Sequence, residues 1–178
     1  VLDARDDPER QRRHIEAFIR NGRAGLLWVP AEDTPAAIYD LLAAYKTPAV
    51  TFLRRSPGQA FDHVGIRNAE ATHAAASYLA DLGHRHIAYL GGTGLSDVRR
   101  ERISGYRQVL EERGLGEPVI WETGDSKLAG LDAFKKLLRA HPETTAIVCN
   151  GDMVALGACL ALIRSGQVPG KDVSVIGF

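Results

Sequence analysis

The chain has 178 residues, 45% hydrophobic and 25% charged, and its 22 Lys and Arg are balanced by 22 Asp and Glu. No apolar run approaches the roughly 20 residues a membrane helix needs, and zero net charge argues against a free-standing nucleic-acid-binding domain, which carries a basic excess. The two cysteines, Cys149 and Cys159, are too few for a disulfide framework or a metal centre and read as small apolar side chains.

Residues 8–21 put Ile15, Phe18 and Ile19 on one stripe among charges, an amphipathic helix stopped by Asn21-Gly22. Residues 25–29 form a continuous apolar run closed by Pro30, the pattern of a buried strand. Thr34 is expected to cap a helix with Pro35 at its first position and Ile38, Leu41, Leu42 and Tyr45 on one face. A strand over 48–53, a loop with Pro57-Gly58 and a short strand over 63–66 follow. Asn68 is expected to cap a helix over 69–82 that stops at Gly83. Strands over 86–90, 119–122, 145–149 and 173–177 then alternate with helices over 98–113, 128–140 and 153–165. Such alternation predicts an α/β protein with parallel sheets and crossover helices on both faces. A boundary at Gly65-Ile66 divides a shorter set, 1–65, from a longer one, 66–178. Val1-Leu2-Asp3 reads as the middle of a strand and the chain stops on another, so it is expected to be an excerpt of a longer protein.

Several chemistries fit poorly. Gly91-Gly92-Thr93-Gly94 follows a strand, but Asp97 stands where the dinucleotide fingerprint needs its third glycine. There is no Walker-type Gly-Lys-Ser/Thr and no Gly-x-Ser-x-Gly elbow. His84 and His86 lack a third ligand at metal spacing and read as structural. No catalysis and no cofactor are expected.

Five pieces in order carry a resemblance. They are Val64-Gly65-Ile66-Arg67-Asn68; Tyr78-Leu79 with Leu82-Gly83-His84-Arg85 and Ile87-Ala88; Arg102-Ile103-Ser104-Gly105-Tyr106; Cys149-Asn150-Gly151-Asp152 with Ala155-Leu156-Gly157-Ala158; and Asp172 to Phe178. Together they resemble the effector-binding core of the LacI/GalR family of bacterial transcriptional regulators. The resemblance implies a two-lobed, periplasmic-binding-protein-like fold, here truncated at both ends, that takes a sugar or sugar acid between lobes 1–65 and 66–178. It also implies a cytoplasmic homodimer that meets operator DNA through a helix-turn-helix domain absent from this chain, with no membrane partner. The helix aligned with 154–165 would contribute to the subunit contact, leaving Leu156, Leu160 and Ile163 either in the core or at that contact. Arg67 departs from the family's usual aspartate, and the aspartate that follows the closing Gly-Phe lies beyond Phe178. The alternative is a periplasmic sugar-binding protein of an ABC importer, which shares the fold.

Arg102 is the leading ligand-binding candidate, because a guanidinium offers vicinal hydroxyls or a carboxylate a rigid fork of donors and the family's arginine at this position contacts effector. Arg99, Arg100 and Arg107 read as surface charge. Asp152 caps a helix or lies near ligand, Asn150 shares its edge, and Asp125 and Ser126 either meet ligand or serve loop and cap chemistry. Asp97 reaches the cleft or caps the arginine-bearing helix. On the shorter lobe, core packing is the default reading of Trp28 and Phe52, with stacking on a sugar ring as the ligand-binding alternative.

Overall fold

The computed structural model describes every residue except 57, 59, 60 and 95. The chain divides into two compact units, Val1–Ile66 and Arg67–Phe178.

In the first unit, helix α1 (Pro8–Arg20) begins with its proline at the first position and Asp7 as cap, whose Oδ1 accepts the N–H groups of Glu9 and Arg10 at 2.8 and 3.0 Å. Strand β1 (Leu26–Trp28), helix α2 (Ala36–Ala44), strand β2 (Ala49–Phe52) and strand β3 (Asp62–Val64) follow, and the three strands pair in parallel in the order β1-β2-β3. Ile15 of α1 and Ile38, Tyr39 and Leu42 of α2 bury one face of this sheet around Trp28. Among the described residues of 1–66, no helix covers the opposite face of this sheet. Leu27, on the opposite face, is 75% exposed, which corrects the expectation of a strand buried throughout. Thr34 does not cap α2: its hydroxyl donates to the Ala31 carbonyl at 2.7 Å and lies 3.0 Å from Gln11 Oε1, and Pro35 occupies the cap position.

The second unit runs α3 (Asn68–Asp81), β4 (Ile87–Leu90), α4 (Asp97–Arg113), β5 (Val119–Trp121), α5 (Lys127–Ala140), β6 (Ala146–Cys149), α6 (Asp152–Arg164) and β7 (Ser174–Ile176). Its sheet is parallel throughout, in the order β5-β4-β6-β7. Strand periodicity sorts its side chains between two cores. Ile87, Tyr89, Ala146 and Val148 face α3 and α4 with Tyr106, Val109 and Leu79. Ala88, Leu90, Ile147 and Cys149 face α5 and α6 with Phe134, Leu137, Val154 and Leu162. The all-apolar runs of β4 and β6 are therefore buried on both sides, as their composition predicts. His84 ties the amino edge of this sheet, with Nδ1 2.9 Å from Thr145 Oγ1 and Nε2 2.9 Å from Ser174 Oγ.

The helix pairs approach through glycines. A Cβ on Gly130 would stand 2.6 Å from the Val154 carbonyl oxygen, and one on Gly157 would overlap the backbone of Lys127 and Leu131. Gly157→Val therefore forces α5 and α6 apart. Overpacking of this kind costs about 2 kcal/mol, so thermal denaturation of the variant is expected to come roughly 4–8 °C earlier than that of the parent.

Candidate functional site

From β4 the chain passes to β5 on one side, then crosses to β6 on the other. The helix after β4 packs on one face and the helix after β6 on the opposite face. The loops leaving β4 and β6 thus diverge and open a crevice at the carboxyl edge, where open α/β sheets take ligands. Four segments converge there: 91–94 with Ser96 after β4, 122–126 after β5, 150–151 after β6, and Gly177-Phe178 after β7.

Arg102, in the second turn of α4, spans this crevice. Its Nε donates to Asn68 Oδ1 at 3.0 Å, and its Nη1 donates to the Asn150 carbonyl. The guanidinium carbon lies 3.5 Å from the centre of the Phe178 ring, a cation–π contact. Burial pulls the guanidinium below its ordinary pKa, opposed by Tyr89, Asp125 and Glu101, and it stays a cation at neutral pH. Both protein acceptors are neutral. Among the described residues, Nη2 is engaged by neither a hydrogen bond nor an ion pair.

The partners of Arg102 are themselves held. Asn68 does not cap α3 but is its first residue, and its buried amide donates to Glu101 Oε2 at 2.8 Å while accepting from Arg102. Asn150 donates its backbone N–H to the Leu90 carbonyl at 2.8 Å, and its Oδ1 accepts the Tyr89 hydroxyl at 2.7 Å. Burial pushes the Tyr89 phenol up, so it remains a donor across the neutral range. Tyr89→Phe leaves Asn150 Oδ1 without this donor. We expect a loss of about 1 kcal/mol, measured as an earlier thermal transition.

Arg99 corrects the expectation of surface charge. It is buried; its Nε donates to the Gly91 carbonyl at 3.4 Å, its Nη1 to the Gly94 carbonyl at 3.2 Å, and its Nη2 pairs with Glu122 Oε1 at 3.0 Å. The signal in the sequence was the glycine pair: a Cβ on Gly92 (φ +72°) would stand 2.6 Å from Arg99 Cδ. Glu122 was likewise not foreseen.

The remaining candidates separate. Asp125 is exposed, and its Oδ1 lies 3.2 Å from where a Cβ on Gly151 would stand. Ser126 is the N-cap of α5, its Oγ accepting the Ala129 N–H at 3.2 Å. Asp152 does not cap α6; Gly151 holds that position without a side-chain bond, and the exposed Asp152 carboxylate lies against Gly177. Asp97 does not cap α4 either. It pairs with Arg100, and Ser96 Oγ accepts the Arg99 N–H at 3.3 Å. In the other unit, Trp28 is a core residue, 6% exposed and 5.5 Å centre to centre from Tyr39, which corrects its reading as a sugar-facing ring. Phe52 closes β2 with its ring exposed. Among the described residues no group of three or more His, Cys, Asp or Glu could hold a metal ion, and no helix is long and apolar enough to cross a membrane.

A doubly wound sheet with a polar crevice at its carboxyl edge, built around a guanidinium without a carboxylate partner in contact, defines a small-molecule-binding domain. The sequence matches, over residues 1–178, the family described as periplasmic binding proteins and sugar binding domain of LacI family. The chain belongs to that family, as a LacI/GalR-type effector-binding core. It is 27% identical over 180 residues to the HTH-type transcriptional repressor PurR of Haemophilus influenzae (strain PittEE), covering 100% of this chain and 53% of the relative. It is 30% identical over 183 residues to the ribose import binding protein RbsB of Bacillus subtilis (strain 168), covering 100% and 58%. The transcription regulator CcpA of Lactococcus lactis superposes with a TM-score of 0.88 at 23% identity, over 98% of this chain and 64% of that one. The chain spans little more than half the length of the curated relatives it matches.

Proposed function

We propose that the carboxyl edge of the second unit binds a small hydroxylated effector, without transforming it, and that the whole protein converts occupancy into operator affinity. The observation that carries this reading is Arg102, fixed by Asn68, Asn150 and Phe178 yet retaining an uncommitted nitrogen at the crevice. A ligand hydroxyl that accepts from Nη2 would find Asn150, Asp125 and Asp152 within the same cluster of loops. The family description and the importer relative both name sugars, which supports a polyol as the ligand. A helix-turn-helix domain outside this chain would meet DNA in the cytoplasm, as the PurR relative's name suggests for that protein. Effector coupling in such systems amounts to about 1–3 kcal/mol, or roughly 5–150-fold in affinity. A thermal-shift screen of sugars on the full-length protein tests the reading. A hit is expected to raise the melting temperature and to change retention of operator DNA.

We also propose a homodimer. Met153, Leu156, Leu160 and Ile163 form an exposed apolar stripe along α6, at spacings of three, four and three residues. Replacing Leu156 and Leu160 together by Glu is expected to weaken self-association of the full-length protein at least tenfold in sedimentation velocity, with helical content unchanged.

The importer-type reading is favoured by one observation, the 30% identity to RbsB. Sugar-dependent DNA retention by the full-length protein separates the two readings.

A further inference from the structure

We infer that the effector is a neutral polyol and that Asp125 excludes its acidic counterparts, the sugar acids and sugar phosphates. The inference rests on the effector-binding reading above and adds the charge class of the ligand.

Two of the crevice's cations are already neutralised: Arg99 by Glu122 at 3.0 Å, and Arg100 by Asp97. Of Arg102's surroundings, Glu101 is held by the Asn68 amide at 2.8 Å and Phe178 covers one face of the guanidinium. Two of its five N–H donors, the one on Nε and one on Nη1, are given to Asn68 and Asn150. A carboxylate or phosphate on a ligand would want two parallel donors from one guanidinium. The Nε–Nη2 fork that such an anion would grip side-on is interrupted here, because Nε already donates to Asn68.

Asp125 adds repulsion to that interruption. Gly151 has no side chain, and the Asp125 carboxylate stands beside the vacant direction, 3.2 Å from the Cβ that another residue would carry. The Asn150-Gly151 turn therefore has Arg102 bound to its carbonyl on one side and a carboxylate against its Cα on the other. Asp152, the next residue, is a second exposed carboxylate at the same edge. Lys127 is the remaining cation of these loops, and it begins α5 two residues beyond Asp125.

A hydroxyl suits this pairing because it accepts and donates at once: its oxygen takes an N–H from Arg102 while its hydrogen goes to Asp125. A ligand carboxylate has no hydrogen to give and brings like charge to Asp125 in a part-desolvated crevice. Discrimination of this kind comes from the repulsive element as much as from the attractive one.

The test is calorimetric titration of the full-length protein with matched sets. Each set holds a neutral aldose, its 6-phosphate and its uronic acid, in the glucose, galactose and mannose series. We expect the neutral member of the responding series to bind at least tenfold more tightly than either acid. Asp125→Asn and Asp125→Ser, both at an exposed position, should shrink that ratio several-fold. Tighter binding of an acid or phosphate than of its neutral parent overturns the inference and leaves the effector-binding reading standing. A ratio unchanged in both variants also overturns it, since Asp125 would then not be the discriminating group. No binding by any member of any set removes the polyol reading, and this inference falls with it.

Discussion

Arg102→Ala is expected to weaken effector binding by at least 100-fold, about 3 kcal/mol at 1.4 kcal/mol per factor of ten. The size follows from what the truncation does to the crevice. It deletes the uncommitted Nη2 donor and, with it, a charge-assisted hydrogen bond worth about 1.5–3 kcal/mol. It also leaves the Asn68 amide oxygen and the Asn150 carbonyl without their donor and uncovers Phe178. The fold should survive at reduced stability, because Arg102 lies at the crevice rather than in either hydrophobic core. Arg102→Lys separates geometry from charge. A point charge on a flexible stem cannot satisfy Asn68 and Asn150 and still present a third nitrogen, so it should recover only part of the affinity. Titration calorimetry at a temperature where circular dichroism reports full folding measures both variants. Unchanged affinity in Arg102→Ala would remove this residue from the site.

Arg99→Met should have the largest effect on stability among the charged residues of this edge. The guanidinium is buried and braces three points: the Gly91 carbonyl, the Gly94 carbonyl and the Glu122 carboxylate. Methionine replaces the aliphatic stem and none of the donors. Glu122 is more than half exposed, so water reclaims it and the ion pair itself contributes little. The two carbonyls at the turn are the larger loss, and together we expect about 2–3 kcal/mol, a thermal transition roughly 4–12 °C earlier. Ligand affinity should fall as well, because the loop that Arg99 braces leads directly into α4, which carries Arg102. Glu122→Gln is the control. It keeps a hydrogen-bond acceptor for Arg99 and should cost less than half as much.

The architecture of the second unit was legible because its strands carry an unambiguous signature. Ala146-Ile147-Val148-Cys149 is apolar at every position, and such a run needs cover on both faces. The helix stops were equally plain: Gly114 adopts the left-handed conformation (φ 60°) that ends α4 where a glycine follows the last inward residues. The first unit misled at Leu27, since an apolar run reports the need for cover but not which part of a protein supplies it. Arg102 was recognisable from its motif, whereas Arg99 was hidden among neighbouring arginines. Helical spacing says that positions 99 and 102 share one side of α4. Which loop lies over that side depends on the strand order, and strand order is set by packing between segments far apart in sequence. Asn68 follows the same rule. A polar residue at a helix start suits a cap, but Glu101 and Arg102 from another helix compete for its amide and win. Trp28 shows the opposite bias: a large ring near a strand end is as useful to a core as to a sugar, and here Tyr39 and Ile38 enclose it.

Hydrogen-exchange mass spectrometry of the full-length protein, with and without a saturating sugar from the thermal-shift screen, tests the site most directly. Slower exchange is expected in peptides covering 91–102, 122–126 and 150–152, the segments that meet around Arg102. Saturated binding with exchange in all three unchanged, and protection confined instead to the groove beside Leu27, Pro48 and Val50, would contradict it.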